Sequence, residues 1–195
     1  MNHARIQSMR LFVAAPLPGF LIEDLQVLRR SLQSAGLKAR WVPPGNMHLT
    51  LKFLGEVGSQ QLPSLGDTIR AAVTSIPPIT LVAKGIGGFP SLRHCRVLWV
   101  GLDGETQRLI ALQQRLSGKL QSLGFPRERR AYHPHLTLAR TRLPLDARHW
   151  TAPFADWTSQ TMTIDQLALF ASTLKPTGAE YRCLHRATLT GQIHP

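Results

Sequence analysis

The four residues HLTL occur twice in this chain, at His48–Leu51 and again at His135–Leu138. A strand alternates faces with a period of two, so in each copy the His and Thr share one face and the two Leu share the other. The leucines belong to a core; His48, Thr50, His135 and Thr137 face away from it. A chain that repeats such a strand is constrained toward a duplicated architecture, in which both His-Thr pairs meet at one groove.

The surrounding segments fit that constraint. Met9–Pro18 is an apolar run closed by two prolines and reads as a buried strand. Leu21, Leu25, Leu28 and Leu32 recur at helical spacing, and Gly36 lies where a helix stops, which predicts a helix over 20–35. HLTLKFLG reads as a strand ended by Gly55, and a second helix covers 59–75. ITLVAKGIGGF and RVLWVGL read as two strands, with a bend at the glycines, followed by a long helix over 103–123. The basic loop FPRERR leads into AYHPHLTLAR, another strand; TMTIDQLALFAS and YRCLHRATLTG then pair around the turn LKPTG.

This order predicts an α+β fold of two duplicated antiparallel-sheet lobes, each covered by helices and facing the other across a central cleft. Each HLTL falls late in its own half. No linker of flexible composition separates the halves, so residues 1–195 are expected to form a single compact unit of two pseudo-symmetric lobes, and a monomer.

Lys and Arg outnumber Asp and Glu by 23 to 11, a formal charge of +12 spread along the chain. Such a balance calls for an anionic partner, nucleic acid foremost. No run of about 18 apolar residues and no signal-like start is present, so neither a membrane span nor secretion is expected, and the cytoplasm is the expected location. Cys95 and Cys183 are too few for a disulfide framework.

A lone His-x-Thr on a strand is ordinarily a half-buried surface pair; it is the duplication that points to a site. Two imidazoles facing each other across a groove suit acid–base chemistry, one taking a proton while the other gives one. At phosphorus, an in-line displacement has the attacking oxygen at one end and the leaving oxygen at the other, which matches two histidines about an approximate twofold. Thr50 and Thr137 then donate to the non-bridging oxygens, where charge accumulates. No metal or other cofactor is required. The near-symmetric pair does not reveal which histidine gives and which accepts.

The two His-x-Thr-x motifs resemble those of the two-histidine (2H) phosphoesterase superfamily, and within it the RNA 2′,3′-cyclic phosphodiesterase branch, also described as 2′-5′ RNA ligase. The resemblance runs from about Arg10 to about Leu189 through RLFVA, RWVPPGNMHLTLKFLGEV, RVLWVG, HPHLTLAR and LFASTLKPTGAEY. It implies a bilobal fold with a central cleft and the opening of a terminal 2′,3′-cyclic phosphate of RNA to a 2′-phosphomonoester. By position, His48 matches the proton donor to the leaving 3′ oxygen and His135 the acceptor that activates water.

Pro16 is a departure, since this branch often carries an acidic residue there. Arg140 ends the second motif as in many members and is a candidate for holding substrate phosphate, although simple strand parity puts it on the face opposite His135. The same displacement run backward with an alcohol gives RNA ligation, and a cleft that captures RNA phosphate without turnover is a reading from another class.

Other signals are weaker. His133, Cys183 and His185 lack the convergent third and fourth ligands of a zinc site. Arg127, Arg129 and Arg130 guide RNA to the cleft or form a solvated loop. Tyr132, Phe53, Phe170 and the four tryptophans could stack on a base, but their apolar surroundings favour core packing. GIGGF lacks the Lys-Ser/Thr of a phosphate loop.

Overall fold

A computed structural model describes residues 8–176 and 178–192. Its regular elements are β1 (Ser8–Pro16), α1 (Gly19–Ser34), β2 (Arg40–Trp41), β3 (His48–Gly58), α2 (Leu62–Val73), β4 (Ile79–Phe89), β5 (Cys95–Gly104), α3 (Thr106–Gln121), β6 (His135–Leu145), α4 (Arg148–Thr151), β7 (Thr158–Ile164), β8 (Gln166–Lys175) and β9 (Gly178–Thr188). The class is α+β, as expected. Two antiparallel sheets carry it, in the orders β3-β1-β8-β9 and β2-β6-β5-β4-β7.

The lobes are not the two halves of the sequence. The four-stranded sheet takes β1 and β3 from the beginning of the chain and β8 and β9 from its end, while β4 to β7 stay together in the other sheet. Setting β2 aside, the orders correspond strand for strand: β3 with β6, β1 with β5, β8 with β4, β9 with β7. The motif strands are thus equivalent, and they approach each other where the sheets meet.

The helices are distributed crosswise. α1, inserted between two strands of the four-stranded sheet, buries Leu21, Leu25, Leu28 and Leu32 and packs against β7 of the other sheet. α3 connects β5 to β6 yet reaches β3, where Gln113 Nε2 donates to the Leu51 carbonyl at 3.3 Å. α2 packs on β8, β9 and α3. One apolar cluster runs through both sheets, from Leu11 and Leu49 to Leu136 and Ile164. No helix among the described residues is long and apolar enough to cross a membrane.

Several boundaries differ from the sequence reading. TMTIDQLALFAS is two strands: β7 ends at Ile164, and β8 begins at Gln166 in the other sheet. The break is a single residue, Asp165, whose carbonyl accepts from Leu189 N at 2.7 Å. β3 runs past Gly55, which has φ +75° and allows a bulge that leaves Leu54 unpaired. GIGGF lies within β4, with its irregularity at Gly85, φ +70°. Residues 59–61 form a 3₁₀ turn before α2, and β6 starts only at His135, after Pro134. The β8–β9 hairpin is as expected; Thr177 of its turn lies outside the described residues.

Candidate active site

Both motifs carry the same irregularity. Ala14 opposes Thr50 while Val13 opposes Lys52, so Leu51 is bulged; Trp99 opposes Thr137 while Leu98 opposes Ala139, so Leu138 is bulged. The residues at 48–53 and 135–140 accordingly share one burial sequence: half-buried, buried, half-buried, buried, buried, exposed. A bulge reverses the facing of the residues beyond it. Phe53 and Arg140, two residues past each bulge, therefore return to the side of the motif histidines, which corrects the parity reading of Arg140. Phe53 opposes Phe12, whose ring lies 4.7 Å from that of His48.

His48 and Thr50, and His135 and Thr137, stand half-buried on the inter-sheet face, while Leu49, Leu51, Leu136 and Leu138 enter the core. His48 packs against Phe12 and, edge-on at 5.3 Å, against Tyr181. His135 packs edge-on against Phe89 at 5.0 Å and lies 6.1 Å from Trp99. A Cβ on Gly87 would collide with the Trp99 ring, so glycine is needed for the indole to lie where it supports His133 and His135.

Each imidazole is fixed by the main chain two residues upstream. His135 Nδ1 lies 2.7 Å from the His133 carbonyl, and the His48 ring is hydrogen bonded to the main chain of Asn46. A carbonyl only accepts, so Nδ1 of His135 carries the proton, and its Nε2 holds the free lone pair in the neutral ring. Burial lowers the pKa of His48 to about 4, against a smaller raising effect of the Asn46 hydrogen bond. Burial also lowers that of His135; its bond to His133 opposes this, and the charges of His133 and Arg140 reinforce it. Both rings are neutral near pH 7.

A cavity of about 760 Å³ opens beside His135, lined by Thr50, Phe53, Phe89, Tyr132, His133 and His135 among others; His48 and Thr137 are not among its lining residues. Arg96 and Arg130 stand at its border. Phe53 is 62% exposed, an unusual position for a phenylalanine. The aromatics thus divide: Phe53 and Phe89 face the cavity, and Tyr132 does so while buried enough to have its phenol pKa raised. Of the basic loop, Arg130 reaches the cavity, whereas Arg127 and Arg129 line a smaller depression beside α3.

The sequence reading missed the ties that hold this site. Lys52, 4% exposed, places Nζ 2.5 Å from the Pro126 carbonyl and 3.2 Å from Glu128 Oε1. Parity groups Lys52 with His48 and Thr50, and only the bulge at Leu51 turns it into the core, so the sequence carried no signal for these ties. Among the described residues no three His, Cys, Asp or Glu side chains gather in a metal-sized group; Cys183 Sγ is directed to the His185 carbonyl at 3.6 Å.

Two antiparallel sheets of corresponding strand order, each presenting a His and a Thr from a bulged strand, define the class of protein. The chain matches the 2′-5′ RNA ligase superfamily over residues 16–175, and it belongs to that family. It is 31% identical over 185 residues to the RNA 2′,3′-cyclic phosphodiesterase of Thermotoga maritima, covering 95% of this chain and 98% of the relative. The solved structure of a Thermus thermophilus protein superposes with a TM-score of 0.79 at 27% identity, covering 95% of this chain and all of that one. Escherichia coli LigT in its apo form gives 0.72 at 27% identity, over 94% and 99% of the two chains, and LigT has also been solved with 3′-AMP and with phosphate.

Proposed function

We propose that this protein hydrolyses the terminal 2′,3′-cyclic phosphate of RNA to a 2′-phosphomonoester by proton transfer between its two motif histidines. The observation that carries the reading is the repeated arrangement itself: His and Thr on the same face of equivalent bulged strands, each imidazole fixed by the main chain two residues before it. The activity named for the relatives and the nucleotide complexes of LigT supply the substrate class.

In this reading the phosphorus sits between the strands. His135, with its free Nε2, takes the proton of the attacking water. His48 gives a proton to the departing 3′ oxygen, a role that requires it to be protonated in the complex. An anionic phosphate between the rings supplies the reason, since a negative charge within a few ångströms raises the pKa of both. Thr50 and Thr137 donate to the non-bridging oxygens, and the terminal base occupies the cavity beside Phe53 and Phe89. The net charge of +12 draws the RNA end to the cleft. The imidazoles carry both proton transfers, so activity is expected to survive EDTA.

The test is phosphorus NMR of an oligonucleotide ending in a 2′,3′-cyclic phosphate, incubated with EDTA and either the wild-type protein or His135→Ala. A 2′-phosphomonoester formed by the wild type alone supports the reading. A cyclic phosphate that persists under both overturns it.

A further inference from the structure

Glu128 is the one carboxylate among the residues that line the aromatic cavity. The chain has 11 acidic side chains against 23 basic ones, so a negative charge in a cavity that meets RNA needs a reason. Set beside a phosphate it would repel the substrate. Its place is nonetheless fixed from both sides. Lys52, itself 4% exposed, holds Glu128 Oε1 at 3.2 Å and the Pro126 carbonyl at 2.5 Å. Further along the same loop, the Tyr132 hydroxyl donates to the Thr50 carbonyl at 2.8 Å.

The carboxylate has acceptor capacity to spare. Its two oxygens offer about four acceptor positions, and among the described residues Lys52 is the only group that bonds to them. The side chain is 53% exposed. Phe53, Phe89, Pro90 and Val97 give the same cavity its apolar surface, on which every base stacks alike. Discrimination between bases falls to the polar groups of the lining.

The chemistry of the substrate limits what can meet Glu128. At an RNA end closed by a 2′,3′-cyclic phosphate, the 2′ and 3′ oxygens of the last ribose are both esterified, and its 5′ oxygen carries the preceding linkage. That nucleotide has no hydroxyl to donate, and its only N–H donors are on the base. Guanine presents N1–H and its N2 amino group side by side, which matches the two oxygens of a carboxylate. Adenine and cytosine present one amino group each. Uracil presents a single N–H between two carbonyl oxygens, which a carboxylate repels. We infer that Glu128 reads the Watson–Crick edge of the terminal base, so that the protein prefers an RNA end in guanine and uses one in uracil least. The inference rests on the proposed reaction for the identity of its substrate. Uracil is disfavoured most because a site equipped to accept hydrogen bonds rejects a partner that cannot supply them.

The experiment compares four dinucleotides that share their first nucleotide and end in guanosine, adenosine, cytidine or uridine 2′,3′-cyclic phosphate. Wild type is expected to favour guanosine over uridine by about 10-fold to 100-fold in kcat/KM, as hydrogen bonds to a charged group allow. Glu128→Gln keeps an oxygen for Lys52, but its amide donates as well as accepts and suits uracil too, so the ratio is expected to move toward unity. A purely structural Glu128 would change all four rates together and leave the ratio as it was. Equal use of the four ends by the wild type, a preference for uridine, or an undiminished ratio in Glu128→Gln overturns the inference; the first two need no variant. Binding of the corresponding dinucleotides ending in a 2′-phosphate reads the same preference without turnover. Preference in binding without turnover leaves the base reading and removes the reaction; turnover without preference removes the base reading and leaves the reaction.

Discussion

The hydroxyl of Tyr132 donates to the main-chain carbonyl of Thr50 across 2.8 Å. One residue lies three positions before the second motif, and the other is the hydroxyl-bearing residue of the first. Lys52 makes a second tie from the same strand to Pro126 and Glu128. The counterpart exists on the other side, where Val42 N donates to the Leu138 carbonyl at 2.8 Å from the segment that leads into the first motif. Each motif strand is held by the approach to the other.

Tyr132→Phe removes one donor and leaves the Thr50 carbonyl without it. The expected loss is about 1 kcal/mol of stability, read as a lower urea midpoint. Lys52→Met, which removes a buried ammonium and leaves its two oxygen partners without it, should lower the midpoint further. Unchanged midpoints in both variants would show that the two segments hold their places without these ties.

His48→Ala and His135→Ala should each lower turnover of a cyclic phosphate by about 10²-fold to 10⁴-fold, the usual contribution of one general acid or base. Circular dichroism should remain that of the wild type. A variant that keeps its rate removes that histidine from the proton transfers.

Thr50→Val and Thr137→Val keep shape and remove a hydroxyl. Each is expected to lower kcat by about 10-fold to 1000-fold, as loss of one oxyanion donor does. If KM alone rises while kcat holds, the hydroxyls bind the ground state and do not favour the transition state.

The pH dependence is set by the two lowered histidines. kcat/KM reports the free enzyme, and the active form needs one imidazole charged and one neutral. With His48 near 4 and His135 below the ordinary 6.5, that form is most populated on the acid side of neutrality. The expected profile declines as pH rises above about 6.5; a plateau or optimum near pH 8 would contradict it. Stability runs the other way. His48 is harder to protonate folded than unfolded, so its neutral form favours the fold above about 6.5, and that contribution is lost as pH falls from there toward 4. His48→Gln should flatten the fall in urea midpoint across that interval.

Much of this site could be read from strand parity alone: two histidines and two threonines on one face, leucines on the other. The bulges could not, because a bulge announces itself only as two successive core positions. Leu138-Ala139 shows that pattern faintly, and in Leu51-Lys52 a charged residue conceals it. β2 escaped notice because a two-residue strand has no period to detect. The single residue between β7 and β8 hid a change of sheet for a related reason, since apolar patterning records burial and not which sheet buries it.

The exchange of strands between the ends of the chain has a consequence for how the molecule comes into being. On the ribosome β1 is made first, yet its neighbour β8 emerges some 150 residues later, at translation rates of about 5–20 residues per second. Until then one edge of β1 lies bare, and His48 lacks Phe170 and Tyr181 behind it. The second motif strand, by contrast, is flanked by β2 and β5, both of which are already made when β6 emerges. A cut midway between the repeats would therefore not yield two working halves, because the first repeat is finished by the last hairpin to be synthesised.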